Sequence, residues 1–355
     1  MNLDKLFTAK TIAAYWTEVS SNQIPFLGTA FFPNKKKAGL DLKWIKGNKG
    51  LAVSLMPSNF DAKATFRDRI GVKAVQTEMP FFREGFLLKE KDRQEILRAQ
   101  DSTDPYVQEV LDHIFDDAAQ LVTGADVVAE RMRMQLLAPV DGTPKINITA
   151  NNVAYEYNYD PSGDYKANHF LEMTAATDKW TDYENSDPIG DLQDAQERVE
   201  TITGTKPTIA LMNSVTFKYL LQNAKVKGAV LAQNSTANII MTDAAVKTVI
   251  KTLLNLDIVT YSKKVKDESG TEIKLYPDNM VTLLSGTALG NTWYGTTPEE
   301  ADLLGGSEAV VEIVNTGVAL TTIKTLHPVN IETICSEIVL PSYEAMDSTF
   351  VMKVA

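Results

Sequence analysis

The sequence has little of the material from which covalent or metal-held frameworks are built. It contains one cysteine, Cys335, and three histidines, His113, His169 and His327, among 355 residues. A single cysteine excludes a disulfide framework and a cysteine-rich zinc site. Three scattered histidines leave little material for a histidine metal centre. We therefore expect a chain that is made in a reducing compartment and holds no metal.

Long apolar runs are also absent. No stretch reaches the roughly 18 apolar residues that a membrane helix needs. Residues 1–16 show no basic stretch followed by an apolar core, so we expect no signal peptide. Hydrophobic residues make up 44% and charged residues 23%, which is ordinary for a folded, soluble protein. The 355 residues exceed the roughly 250–300 that one core accommodates, which predicts more than one structural unit.

Motifs of catalysis are missing. Gly204-Thr-Lys206 resembles the end of a phosphate-binding loop, but the required earlier glycine is absent and Pro207 has no amide to donate. Cys335 lies in an alternating strand pattern, which favours a small buried hydrophobe over a nucleophile. The acidic pairs Asp116-Asp117 and Glu299-Glu300 are interpreted as solvated, because neighbours on a helix diverge by about 100°. We expect no enzyme, with no catalytic, cofactor-binding or metal-ligating residues.

The charge is unevenly distributed. Residues 34–98 hold 15 Lys and Arg against 8 Asp and Glu, a net of +7. The remainder holds 20 against 38, a net of −18, which gives −11 for the chain. An acidic protein with one basic segment argues against nucleic acid as a specific target. The pattern favours self-association, in which the basic segment of one copy lies on the acidic body of another. The alternative is that the basic residues only form an ordinary solvated face.

The first ninety residues predict an arm and a hairpin. Residues 3–16 fit a short amphipathic helix, and the following apolar stretch, which includes Phe26, Phe31 and Phe32, needs a surface to bury it. A partner subunit is the natural candidate. Residues 40–90 alternate between polar and apolar, with strands predicted at 40–46 and 51–55 around a Gly-Asn-Lys-Gly turn. An extended, projecting hairpin is the preferred interpretation, and an active-site flap is the alternative.

The strongest local pattern is a helix over residues 104–138. Asp104 is a good N-cap, Pro105 suits the first helical position and Pro139 ends the helix. At about 1.5 Å per residue, this helix is roughly 50 Å long. The remaining patterns predict strands at 145–149, 153–159, 208–212 and 280–284, helices at 187–203, 213–221 and 242–254, a pairing of 257–261 with 272–276, and strands again from 318 to the end.

This order of parts resembles the major capsid proteins of tailed phages, which have the HK97-like fold. The local sequence is similar to the lambda-type major capsid protein E family in several phrases, which are Leu42-Lys-Trp-Ile-Lys-Gly47, Glu78-Met-Pro-Phe-Phe-Arg-Glu84, Asn213-Ser-Val-Thr-Phe-Lys-Tyr-Leu220, Tyr276-Pro-Asp-Asn-Met-Val281 and Ser336-Glu-Ile-Val-Leu-Pro-Ser342. The resemblance covers nearly the whole chain and implies an α+β, HK97-like capsid fold. It divides the chain into an N-terminal arm at 1–38, an extended hairpin called the E-loop at 39–90, a P domain at 91–185 and 315–355 with its spine helix at 104–138, and an A domain at 186–314.

The resemblance also implies the function and the partners. Copies of the chain are expected to form hexamers and pentamers. These are expected to assemble into an icosahedral head shell that encloses double-stranded DNA without reading its sequence. Further expected partners are a separate scaffolding protein, a portal and a decoration protein, with no membrane and no cofactor. The shell is expected in the virion, after assembly in the host cytoplasm. The expected intersubunit contacts are Phe26, Phe31, Phe32, Lys43, Trp44, Lys46, Lys49, Arg67 and Arg69.

Two other functions stay open at this point. An encapsulin-like shell protein of a cellular nanocompartment has the same fold but encloses enzymes instead of DNA. A cytosolic α/β enzyme with a lid at 40–90 predicts a monomer or small oligomer with a deep pocket. The size of the particles and their contents distinguish these alternatives.

Overall fold

The structure is a computed structural model that describes residues 8–18, 26–46, 73–92, 94, 105–150, 153–233, 241–267, 269–286, 288–303 and 309–355. The chain divides into two compact units. Unit 1 comprises residues 1–42, 76–131 and 291–342, and unit 2 comprises residues 43–75, 132–290 and 343–355.

Helices and strands are mixed along the whole chain. The helices are α1 Ala9–Glu18, α2 Gly28–Phe31, α3 Pro105–Leu137, α4 Asp164–His169, α5 Pro188–Thr203, α6 Ser214–Gln222, α7 Ala224–Gln233 and α8 Asp243–Leu254, with a π-helical turn at Glu299–Leu303 and a 3₁₀ turn at Met346–Ser348. The strands are β1 Asn34–Lys36, β2 Asp41–Lys46, β3 Lys73–Glu78, β4 Phe81–Leu88, β5 Lys145–Ala150, β6 Val153–Asn158, β7 Phe170–Glu172, β8 Ile209–Met212, β9 Asp257–Thr260, β10 Lys264–Lys266, β11 Glu272–Lys274, β12 Met280–Leu284, β13 Gly290–Tyr294, β14 Ala309–Val314, β15 Val318–Lys324, β16 Ile331–Tyr343 and β17 Phe350–Lys353.

The long helix predicted from the sequence is present. The prediction of 104–138 agrees with α3, whose 33 residues begin at the expected proline and end two residues before Pro139. Its apolar stripe is buried in the later turns, at Ala125, Ala129, Met132 and Leu136. A helix of this length needs such a stripe, because helical propensity alone does not hold it in place.

Unit 1 is built on a six-stranded sheet. Its order is β1-β13-β16-β15-β14, and β4 also pairs with β16. The first half of β16 lies between β15 and β4, with both pairings antiparallel. Strand β16 is largely buried. Burial of this strand is possible because its neighbours on both sides provide partners for its backbone polar groups. Residues 81–88, which the resemblance places in the E-loop, thus belong to this sheet.

Unit 2 is a sheet covered by helices. The strand order is β7-β17-β12-β8-β9, and the central strand β12 is buried throughout. Side chains of α5, α6, α7 and α8 share one hydrophobic core with this sheet. The predicted helix starts at 187, 213 and 242 are confirmed, since Asp187, Asn213 and Thr242 are the N-caps and each accepts a hydrogen bond from a backbone N–H of the helix that follows. Gly204 ends α5 with a left-handed backbone, φ 75°, as glycine readily does.

One predicted strand pairing is wrong. Residues 257–261 were expected to pair with 272–276, but β9 pairs in parallel with β8. When helices connect two strands of one sheet, the second strand usually pairs with the first in parallel. In this chain the parallel pairing buries Ile258 of β9 in the core that the helices cover. β11 pairs instead with β10, across a turn in which the Asp267 carboxylate accepts from the backbone N–H of Ser269 and Thr271.

A separate hairpin of β5 and β6 follows α3. Its antiparallel register places Asn147 opposite Glu156 and Thr149 opposite Ala154. On the outer side of β5, the side-chain amide of Gln135 in α3 donates to the carbonyl of Asn147 at 3.0 Å and accepts from its N–H at 3.0 Å. Gln135 thus satisfies both polar groups of this residue, as a neighbouring strand would.

A buried tryptophan and a carboxyl group fix the start of α5. The Trp180 side chain is fully buried, and its indole N–H donates to the Asp191 carboxylate at 2.9 Å. Burial raises the pKa of Asp191 to about 6; the bond from Trp180 opposes this rise, whereas the charges of Asp187, Asp194 and Asp178 add to it. The ionised form is therefore disfavoured in the folded state.

This raised pKa predicts a stability that falls as pH rises. Because the folded-state pKa lies above the ordinary value of 3.8, the group stabilises the protein fully only below the ordinary value, and this contribution is lost as pH rises through about 6. In Asp191→Asn the amide carbonyl still accepts from Trp180 but carries no charge. The rise from 3.8 to about 6 is equivalent to about 3 kcal/mol, which the partial exposure of the carboxyl group to solvent reduces to about 2 kcal/mol. After a further loss of about 0.3–1 kcal/mol from the helix dipole, we expect this variant to be about 1 kcal/mol more stable at pH 7.5.

Urea unfolding of the wild type and Asp191→Asn between pH 5 and 8 checks this expectation. The difference in unfolding free energy should grow up to about pH 7 and then level off. Asp194→Asn, which changes an exposed aspartate in the same helix, is the control, and its difference in unfolding free energy from the wild type should change less with pH. Equal pH dependence in all three proteins would contradict the role of Asp191.

Candidate subunit-contact surface

The N-terminal segment is fastened to unit 1. Helix α1 lies against β14 and β15, and the N–H of Ala9 donates to the Thr322 hydroxyl at 2.8 Å. Further along, the N–H of Gly28 donates to the Glu130 carboxylate at 2.9 Å. Strand β1 then joins the large sheet in parallel with β13. The segment is thus part of its own subunit's fold at three places.

Two of the predicted contact residues lie inside the subunit. Phe31 and Phe32 are only 5% and 0% exposed, so the expectation that this apolar stretch needs a partner subunit to bury it is wrong for both. The reason is the addition of β1 to the sheet, where the Thr292 hydroxyl donates to the Phe32 carbonyl at 2.9 Å and holds the preceding residues against the core. Phe26 is half-buried.

The basic residues divide into those that are paired and those that are exposed. Lys36 forms an ion pair with Glu300 at 2.5 Å, and the ammonium of Lys35 lies 5.6 Å from the centre of the Trp293 ring. Lys43 is exposed on β2. Trp44 and Lys46 also lie on this strand, whose partner is β3. Lys49, Arg67 and Arg69 lie outside the described residues.

An ion pair between a buried carboxylate and a half-exposed arginine joins the π-helical turn to the sheet. Glu299 is only 6% exposed, accepts from the Ser336 hydroxyl at 2.9 Å and is ion-paired with Arg83 on β4. The interpretation of Glu299 as a solvated carboxylate is therefore wrong. Arg83 also lies over the Phe81 ring, 4.7 Å from its centre. Sequence reasoning missed this pair because its partners are far apart in the chain and follow no local pattern.

The structure supports the expected character of the cysteine. Cys335 is buried in β16, and burial raises the pKa of its thiol, so the reactive thiolate is disfavoured. Among the described residues, no cluster of three or more His, Cys, Asp or Glu side chains is placed to hold a metal ion. The same residues include no helix that is both long and apolar enough to span a bilayer.

Comparison with known proteins identifies the family. The sequence model for phage major capsid protein E matches residues 8–343. The chain belongs to this family. The capsid protein shares its fold with a phage-related protein from Bordetella bronchiseptica RB50, at a TM-score of 0.54 and 13% identity, over 98% of this chain and 97% of the other. A search among curated proteins finds no match.

A second solved structure has the same fold. The putative capsid protein of a prophage of E. coli CFT073 has a TM-score of 0.58 and 14% identity, over 98% of this chain and 99% of the other. The predictions of the family and of an α+β, HK97-like capsid fold are confirmed. The chain is a phage major capsid protein, a structural component of a shell, and its place is in the virion.

Proposed function

We propose that this capsid protein forms hexamers and pentamers that build the icosahedral head shell of a tailed phage around double-stranded DNA. The family match over residues 8–343 is the observation that carries the proposal. Assembly then takes place in the host cytoplasm, with a separate scaffolding protein, a portal and a decoration protein as further partners. A structural family also favours a chain without catalytic activity.

We assign the four capsid regions with the boundaries expected from the resemblance, with one refinement. Strand β4 at 81–88 pairs with β16 in the large sheet, so the projecting part of the E-loop is residues 39–80. Contacts between subunits then rest on Phe26, Lys43, Trp44, Lys46, Lys49, Arg67 and Arg69. Phe31 and Phe32 support these contacts only indirectly, by fixing the arm.

The charge distribution supports both the assembly and the contents of the shell. The basic residues 34–98 suit an acidic neighbour, since the remainder of the chain has a net charge of −18. An acidic inner wall avoids strong attachment to DNA, because each neutralised phosphate strengthens binding through counterion release. The DNA then slides freely during filling.

Purified chain at tens of micromolar tests the proposal. We expect pentamers, hexamers or shells in sedimentation and electron microscopy, and weak DNA binding that lacks sequence preference at about 150 mM salt, where screening reaches about 8 Å. A folded protein that stays monomeric under several salt conditions would contradict the proposal. Nuclease-resistant DNA inside particles from infected cells separates a phage head from an encapsulin-like compartment.

A further inference from the structure

A cluster of hydroxyl groups in unit 2 fixes the start of β17. The hydroxyls of Tyr165 and Tyr343 each lie 2.9 Å from the hydroxyl of Thr349, the residue before this strand. Burial raises the pKa of both tyrosines, so both hydroxyls keep their protons and donate to Thr349. The Thr349 hydroxyl donates in turn to the Met346 carbonyl at 2.8 Å. The three hydroxyls hold β17 at the point where it enters the sheet.

An imidazole holds the same residue by its backbone. Nδ1 of His169 lies 2.9 Å from the Thr349 carbonyl, which only accepts, so Nδ1 donates. His169 is 4% exposed, and its ring stacks on that of Tyr165, with the ring centres 5.2 Å apart. His169 is the last residue of α4, and the strand β7 that follows pairs in parallel with β17. One side chain therefore fixes the starts of two neighbouring strands.

Two carboxylates act on this imidazole. Asp160 precedes α4 and is buried, whereas Asp347 lies in the 3₁₀ turn and is half-buried. In the part of the chain that the structure describes, neither forms an ion pair with His169. The charged residues of the two paired strands, Glu172 and Lys353, bind each other at 2.7 Å. Burial of the imidazole thus outweighs the two carboxylates and lowers its pKa below the ordinary value of 6.5.

We propose that His169 is an acid-sensitive latch of unit 2, whose neutral imidazole holds the start of β17 and whose protonation weakens the pairing of β7 with β17. A buried imidazolium loses its hydration and gains no carboxylate in contact, so the charged form favours an opened strand. The stabilisation is fully present above the ordinary pKa of 6.5 and is lost as pH falls through the lower folded-state pKa. The latch belongs to the fold of one subunit, so it does not depend on the proposed assembly.

Hydrogen exchange of the amides of β7 and β17, followed by mass spectrometry, tests the latch. His169→Asn retains a donor for the Thr349 carbonyl but takes up no proton. After correction for the intrinsic effect of pH, exchange in the wild type relative to this variant should rise at least about threefold between about pH 7.5 and about pH 5. The comparison at each pH removes the effect of Asp191, which titrates in both proteins.

His327→Asn is the matched control. Of the two histidines whose side chains the structure describes, His327 is exposed whereas His169 is buried. Exchange in β7 and β17 of this control should equal that of the wild type at each pH. A ratio of wild type to His169→Asn that stays constant with pH, or that rises toward higher pH, would overturn the latch.

A second variant changes the charge and leaves the histidine in place. Asp347→Asn removes a negative charge that favours the imidazolium, so the pKa of His169 should fall further. Acid should then accelerate exchange in β7 and β17 more strongly than in the wild type. If His169→Asn does not fold, this variant decides alone, and an acid response no larger than that of the wild type would overturn the latch.

Discussion

Charge reversal at Lys43, Lys46 and Lys49 is expected to abolish shell formation by this capsid protein. Each exposed charge pair contributes only about 0.2–1 kcal/mol, but the same contact recurs at every subunit of a shell. The triple change to glutamate also turns attractions into repulsions. We expect no particles in electron microscopy under conditions in which the wild type assembles, and an unchanged helical circular dichroism signal, since Lys43 is exposed.

The control for this experiment has the same net charge. Reversal of Lys218, Lys227 and Lys264, which are exposed in unit 2, also changes the net charge from −11 to −17. This control should retain most of the assembly if the position of the charge matters more than its amount. Higher salt should partly restore the first variant, because it screens the repulsion. Normal assembly of the first variant at physiological salt would refute electrostatic docking of the basic segment.

Trp180→Ala is expected to cause the largest loss of stability among single changes in unit 2. The side chain is 0% exposed and belongs to the core between the sheet and its helices. Removal of a buried tryptophan typically costs about 3–5 kcal/mol, through lost burial and the cavity left behind. The change also removes the indole N–H that donates to Asp191, so a half-buried carboxylate loses a partner.

Urea unfolding followed by circular dichroism measures this loss. Trp180→Phe keeps most of the apolar volume but removes the donor, and we expect a smaller cost of about 1–2 kcal/mol. The difference between the two variants separates packing from hydrogen bonding. A loss below about 1 kcal/mol in Trp180→Ala would mean that the core closes over the cavity without strain.

The parts of the fold that the sequence predicted correctly are those that depend on neighbouring residues. Helix α3 has its proline boundaries and its apolar spacing within one stretch, and the caps at Asp187, Asn213 and Thr242 act over three residues. The hairpin of β5 and β6 is likewise local. Such features follow from side-chain chemistry and backbone geometry that are present in the sequence itself.

The features that sequence reasoning missed depend on distant segments. The pairing of β9 with β8 requires the intervening helices to return the chain to the sheet. The burial of Phe31 and Phe32 requires β1 to reach β13, which is far away in the sequence. The ion pair of Arg83 with Glu299 joins residues from opposite parts of the chain. Local patterns contain no information on these partners, so only the tertiary structure reveals them.

The amide of Gln135 has a consequence for how far association through the hairpin can proceed. In polymer terms, a monomer with two reactive ends forms endless chains, whereas a monomer with one reactive end stops after a single addition. Because Gln135 binds both backbone polar groups of Asn147 in the middle of one edge of the hairpin, a strand cannot pair along that edge without displacing this amide. A subunit that is closed in this way on one side ends a chain instead of extending it, which opposes stacking into cross-β fibrils.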